Sequence, residues 1–376
     1  MINDRLVNLS GSELTNFLNS LKSDDIKKIE VITSPPARYD AQGNSGLINI
    51  VTKSVKTDSF YGSIRGGISQ ANKNVGSGGI NLNYQKNKST ITSSINYANG
   101  SVEPFQNYTL KYPNYIWIED NNKRNFINNL SGRFTYDYRI NQKTRIGAEY
   151  NISNVLPLVK SYNESKIYNP SKVLDSIIST QSRIEMNRLT NAINLYSIID
   201  VDTLGKKLNI DFDYVKYNSK SENTFFSNSF LADGTIKPNN FFSANNSSNL
   251  DIDIITTRID MDYPTKFAKL NFGSKLTFIN NLSGVKFYNT TSGSPTLDPL
   301  QTNDFEYNEN IQALYISGSK NLTKSLELQI GLRGEYTQTI GNSLTLNEKT
   351  TNDISKLSEN EGCKKGFPSA KLNGVL

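Results

Sequence analysis

Histidine is absent from all 376 residues, and the single cysteine, Cys363, stands beside Gly362, Lys364 and Lys365. These two facts remove most routes to catalysis. No Ser-His-Asp arrangement is available, no disulfide can form within the chain, and no imidazole or thiolate cluster can hold a metal. Serine and lysine are both so frequent that Ser-Lys neighbours carry no signal. The carboxylates add little. Asp200 and Asp202 lie at a tight turn, and Asp211 and Asp213 share one face of an alternating stretch. The run 245–253 is rich in Asn and Asp but lacks the loop spacing of a calcium-binding hand. Gly76, Gly78 and Gly79 lack the strand and helix that flank a phosphate-binding loop, and read instead as bend or bulge positions in a hairpin. The chain reads as non-enzymatic, with no cofactor and no metal.

Two residue groups suit recognition rather than reaction. Tyr108, Tyr112, Tyr115 and Trp117 form one aromatic cluster in a polar connection; Phe225, Phe226, Phe230, Phe241 and Phe242 form another. Such rings make sugar, peptide or chelate contacts, or simply pack loop against loop. The second group is charged. Arg65, Arg133, Arg145, Glu149, Arg333 and Glu335 all fall on the polar side of alternating stretches.

Alternation is what must position both groups. From residue 60 onward the period is 2: Leu208, Ile210, Phe212 and Tyr214 oppose Asn209, Asp211 and Asp213. Leu270, Phe272, Leu276 and Phe278 oppose Lys269, Asn271, Lys275 and Thr277, and Leu326, Leu328, Ile330 and Leu332 oppose Glu327, Gln329 and Arg333. Stretches of about ten residues match a tilted strand crossing a hydrocarbon core. A mean hydropathy of -0.50 excludes a bundle of membrane helices, but a β-barrel shows its apolar residues only at alternate positions. Lysines and acids are interspersed under a net charge of +6, so no nucleic-acid footprint is present.

Composition alone fits a soluble all-β protein with Asn-rich loops. The connections argue otherwise. Short ones at 86–88, 141–143, 202–206, 264–267 and 321–325 alternate with long ones at 99–125, 154–187, 219–250 and 280–304, and with another beginning near Gln338. Tight turns on one side and long loops on the other describe an outer-membrane barrel. The expected fold is an all-β transmembrane barrel wall of about 11–12 antiparallel meandering strands, which the resemblance given below implies to be partial. Its apolar faces should meet lipid, with Lys269, Lys275, Glu327 and Arg333 turned into the lumen.

Residues 26–53 break the pattern. A short strand (Ile29, Val31) is stopped by Ser34, Pro35 and Pro36; a polar turn (Asp40, Gly43, Asn44, Gly46) then leads to a second strand, 47–52. Upstream, Leu14, Phe17, Leu18 and Leu21 have helical spacing, but the piece is too small to bury a core alone. The order Ile29-Glu30-Val31-Ile32, Pro35-Pro36-Ala37-Arg38-Tyr39-Asp40-Ala41, Gly43-Asn44-Ser45-Gly46 and Ile48-Asn49-Ile50-Val51-Thr52-Lys53 resembles the end of the plug domain in TonB-dependent outer-membrane receptors of the Bacteroides group. Farther on, Tyr307, Glu309, Ile311, Ala313, Tyr315, Gly331-Leu332-Arg333-Gly334-Glu335-Tyr336 and Phe367-Pro368-Ser369 resemble the middle of the same barrels.

That resemblance implies residues 1–56 as the C-terminal part of a small α+β plug and 57–376 as the N-terminal half of a barrel, the chain being a fragment or a truncated receptor. It implies plug–barrel contacts through Arg38, Tyr39, Asp40, Arg65, Arg133, Arg145, Glu149, Arg333 and Glu335, although any wet lumen wall is polar. Ligand contacts would fall on the outer aromatics, Tyr108, Tyr112, Tyr115, Trp117, Phe225, Phe226, Phe241 and Phe242. The implied partners are outer-membrane lipid, a TonB-type energy-coupling protein, a chelate, oligosaccharide or peptide-like nutrient, and a surface lipoprotein. The competing readings are a non-transporting surface or secretion-associated barrel used for binding or adhesion, an inert truncated receptor, and a soluble sandwich.

Overall fold

A computed structural model describes residues 1, 18, 26–32, 37–38, 46–52, 58–323 and 326–365, apart from the side chains of Glu327 and of residues 359–365. Strands β1 (Ile26–Ile32) and β2 (Leu47–Thr52) pair antiparallel, Ile29 opposite Ile50 and Glu30 opposite Asn49. Asn49 donates to Glu30 at 2.8 Å. The helix expected around Leu14 to Leu21 lies outside the described residues, except Leu18, which is exposed.

The rest is one fifteen-stranded sheet. Its main path runs, neighbour to neighbour, through β3 (Ser59–Gln70), β4 (Asn74–Lys86), β5 (Ser89–Val102), β7 (Ile116–Arg139), β8 (Thr144–Val155), β10 (Leu174–Asp200), β11 (Lys207–Leu231), β12 (Phe242–Pro264), β13 (Lys269–Asn289), β15 (Asn303–Thr323), β16 (Leu326–Ser343) and β17 (Glu348–Lys365). Strands β6 (Phe105–Lys111), β9 (Leu158–Tyr168) and β14 (Thr296–Leu297) are side branches pairing with β7, with β10 and β7, and with β13. No crossover interrupts the described meander, as the alternation of short and long connections predicts.

Connections at one end are short: residues 87–88, 140–143, 201–206 and 265–268. Side chains lock three of them. Asn141 accepts from the N–H groups of Lys143 and Thr144, Asp202 from Leu204 and Lys206, and Thr265 from Phe267 and Ala268. Residues at the opposite end depart from expectation. The stretches 154–187 and 219–250 are mostly strand: β10 spans 27 residues and β11 spans 25, so these hairpins project well beyond a membrane-spanning length. Beyond that length Asn, Ser and Thr become frequent on both faces and the regular apolar alternation fades, although the backbone ladder continues. Asn, Ser and Thr then bond across it, as Thr180 does with Ser227 at 2.7 Å. The run 245–253 is likewise strand. Its Asp251 accepts from Asn218, and Asp253 takes Tyr214 at 2.6 Å and Lys216 at 3.1 Å. Gly76, Gly78 and Gly79 are not at a bulge, because the β3–β4 and β4–β5 registers run unbroken through them.

The sheet is built inside out. Ile330 and Leu332 are 55% and 43% exposed and Phe278 48%, whereas Arg333, Asp260 and Asp211 are buried at 2%, 3% and 6%. In water this arrangement would strand many large apolar side chains, each forgoing roughly 1.5–3 kcal/mol of burial. Lipid removes that cost. Leu270, Phe272, Leu276 and Phe278 share the outer face with Leu326, Leu328, Ile330 and Leu332, and Lys275 and Arg333 take the inner one. Among the described residues no helix is long and apolar enough to cross a membrane; the crossing elements are strands.

Candidate lumen-facing site

Register brings the inner-face charges into one belt that sequence spacing could not show. In one row across the sheet Asp137 lies opposite Gly147, Gly147 opposite Tyr196, Tyr196 opposite Asp211, and Asp211 opposite Arg258. The next row runs Asp260, Gly273, Tyr315, Arg333. Arg258 joins the two. Its Nη2 donates to Asp211 at 3.1 Å, and its Nε lies 3.1 Å from Asp260, a charge contact rather than an aligned hydrogen bond. All three side chains are nearly excluded from solvent.

Glycine opens the path for both tyrosines. Tyr315 reaches over β13 to donate to Asp260 at 2.8 Å. A Cβ at Gly273 would run into the Ile259 carbonyl oxygen and the Tyr315 hydroxyl. Tyr196 likewise crosses β8 above Gly147 to bond Asp137, and Arg65 crosses β4 above Gly79 to bond Asn96. A side chain can span two inter-strand spacings, about 10 Å, only if the middle strand presents no Cβ.

The belt ends on the N-terminal segment. Two N–H groups of Arg333 donate to one oxygen of Glu335 at 2.8 and 3.0 Å, and its guanidinium lies 5.6 Å from the centre of the Tyr315 ring. Its Nη1 donates to the Ala37 carbonyl at 3.5 Å. Ala37 is 1% exposed and packs against the wall at Gly331, where an added Cβ would stand 3.0 Å from its own. Arg38 is within electrostatic reach of Asp260. The turn 37–38 therefore sits on the inner face, opposite the one that carries Leu328 and Leu332.

Of the other charges expected at such a contact, Arg133 and Glu149 form a two-pronged pair at 2.8 and 3.0 Å, and Arg145 lies 3.7 Å from Asp137, all on the sheet itself. Tyr39 and Asp40 lie outside the described residues. Of the belt residues, Arg258, Asp260 and Tyr196 were not singled out from sequence, and Tyr315 entered only through the family resemblance and not as a contact residue. An inward tyrosine opposite a glycine is their signal, and it is readable only once the register is known.

The aromatic groups do not merge. Tyr112 and Trp117 meet edge to face at 5.7 Å at the tip of the β6–β7 hairpin, and Phe225 meets Phe242 at 5.9 Å on the β11–β12 hairpin. By register Tyr108, Trp117, Phe225 and Phe242 belong to the inner face. Phe226 belongs to the outer one, so the Phe225-Phe226 pair splits across the ladder. Tyr112, Tyr115 and Phe241 lie in turns and are exposed.

Residues 199–369 match the family model described as the outer membrane protein beta-barrel family. Comparison with curated proteins gave no match. Among solved structures, the chain is similar to the outer membrane protease OmpT from Escherichia coli at 9% identity and a TM-score of 0.23, covering 80% of this chain and 98% of that one. A mutant ferric enterobactin receptor from Pseudomonas aeruginosa, in complex with enterobactin, aligns at 9% identity and a TM-score of 0.28, covering 90% and 81%. The siderophore receptor PirA from the same organism aligns at 9% and 0.22, covering 95% and 89%.

Proposed function

We propose that this outer-membrane β-barrel protein works as a nutrient receptor whose N-terminal segment, residues 1–56, closes the lumen and is displaced by an energy-coupling partner. The observation that carries the reading is the seat of Ala37. It is a small residue buried against Gly331 at the end of the charge belt, held through its carbonyl by Arg333, itself almost fully buried. A segment meant to stay permanently would gain more from apolar packing. An ionic, hydrogen-bonded seat instead comes apart where water can enter and solvate both sides. In this reading Arg38, Arg333 and Glu335 act as the latch, and the inner-face aromatics of the projecting hairpins meet the ligand. The protein binds and passes its ligand without transforming it. TonB-type coupling and the company of a surface lipoprotein belong to the same proposal.

The test needs no ligand. Ala37→Cys in a Cys363→Ser background is challenged in living cells with a membrane-impermeant maleimide. Energised cells should label residue 37, and cells treated with a protonophore should not. Equal labelling in both conditions, or none in either, refutes energy-driven displacement and favours a barrel used for surface binding alone.

A further inference from the structure

Above the charge belt the same inner face changes its chemistry. Along β9, Lys160, Glu164 and Lys166 fall on the outer side, while Ser161, Asn163 and Ser165 fall on the inner side with Trp117 and Ile167. Strand β10 repeats the division: Arg183 and Glu185 face out, Thr180 and Ser182 face in. One inner row reads Asn121, Asn163, Thr180, Ser227, Phe242 across five strands, without a single charge. The row below carries one cation, Lys123, and the row above one acid, Glu119. Both have partners, Gln106 at 3.5 Å and Asn163. Hydroxyls bond across the ladder, Ser161 to Ser182 and Thr180 to Ser227, each at 2.7 Å.

We infer that this upper inner wall takes an uncharged, hydroxyl-rich chain, a neutral oligosaccharide; the inference deepens the receptor reading above and rests on it. Hydroxyl and amide groups both donate and accept, which suits a ligand presenting many hydroxyls of unfixed orientation. Tyr108, Trp117 and Phe242 on the same face offer flat apolar surface to the C–H faces of sugar rings. An anionic chelate or a charged peptide would lose water here without gaining opposite charge, a net cost. The charges on the outer side of the same strands show that the segregation belongs to the face and not to local composition.

The experiment is calorimetric titration of the full chain, folded in detergent, with mannohexaose, xylohexaose, maltohexaose and, as an anion of matched length, hexagalacturonate. At least one neutral hexamer should bind about tenfold or more tightly than hexagalacturonate, a margin set by unpaired charge. Its affinity should hold between roughly 50 and 200 mM salt, because no ion pair is involved. The lone tryptophan, Trp117, gives a second readout through its emission. Thr180→Asp should weaken the neutral ligand about tenfold or more, while Gln181→Asp, one residue along on the outer face, should leave it unchanged. Heat-modifiable gel migration checks that both variants fold. Equal or tighter binding of hexagalacturonate, no binding of any neutral hexamer, or equal damage from both variants overturns the assignment. Because residue 37 labelling reads displacement without ligand, failure here and failure of the receptor reading are told apart.

Discussion

Replacing Ile330 with arginine tests the inside-out assignment most directly. Ile330 is 55% exposed and stands midway along the outward apolar row of β16, between Leu328 and Leu332 and below Tyr336. Arginine on the lipid side at mid-membrane costs about 2–4 kcal/mol. Loss of the isoleucine from lipid adds about 1.5–3 kcal/mol. Snorkelling of the longer side chain recovers part of this, so the expected penalty is about 3–5 kcal/mol, two to three decades or more in the folded-to-unfolded ratio at about 1.4 kcal/mol each. The control is Thr339→Arg on the same strand. Register turns it inward, opposite Glu309, where the new guanidinium gains a partner. Heat-modifiable migration of the outer-membrane fraction, followed by urea titration of the folded protein in vesicles, should show Ile330→Arg largely unassembled and Thr339→Arg close to wild type. Equal assembly of the two variants refutes the orientation of β16 and, through the regular register that runs from Phe305 opposite Ser343 to Asn321 opposite Glu327, of the sheet beside it.

Gly273→Ala should push Tyr315 off Asp260 and leave a buried carboxylate short of a donor, destabilising the barrel by about 1–3 kcal/mol in urea titration; Gly334→Ala, where an added Cβ meets nothing, should be nearly silent. Arg333→Ala leaves Glu335 without its described partner and frees the Ala37 carbonyl, so limited proteolysis should cut within residues 1–53 faster while the sheet stays protected. Arg333→Lys should rescue this only in part, since a point charge cannot serve Glu335 and Ala37 at once. At the 201–206 turn, the N–H of Lys206 foremost, then that of Leu204, hold the Asp202 carboxyl below its ordinary range. A lowered folded-state pKa means the turn's stabilisation is complete above about pH 4, the unfolded value, and is lost as pH falls through the lower folded one. Amide exchange at residues 204 and 206, corrected for intrinsic pH dependence, should therefore lose protection only below that point, and Asp202→Asn should abolish the pH dependence.

Much of this architecture was legible in the sequence because a strand's two faces alternate with period 2 and the membrane demands an apolar one. Leu326, Leu328, Ile330 and Leu332 against Gln329 and Arg333 fixed both the strand and its orientation without any tertiary information. Asp202 stood at an expected tight turn, and Asn141 and Thr265 fall within or beside two more expected short connections, where the structure shows their short polar side chains capping the local backbone. Other features were decided only in three dimensions. The projecting hairpins looked like loops because Asn, Ser and Thr carry no apolar alternation once both faces are wet, and only the pairing partner shows that the ladder continues. The two faces of Phe225-Phe226 and the neutral row through Thr180 likewise needed register. So did the belt itself. Asp260, Gly273, Tyr315 and Arg333 lie 13, 42 and 18 positions apart along the chain, a spacing with no meaning until four strands are laid side by side. A glycine then becomes the gap through which one side chain reaches another, and a carbonyl at Ala37, nearly three hundred residues from Arg333, becomes its neighbour.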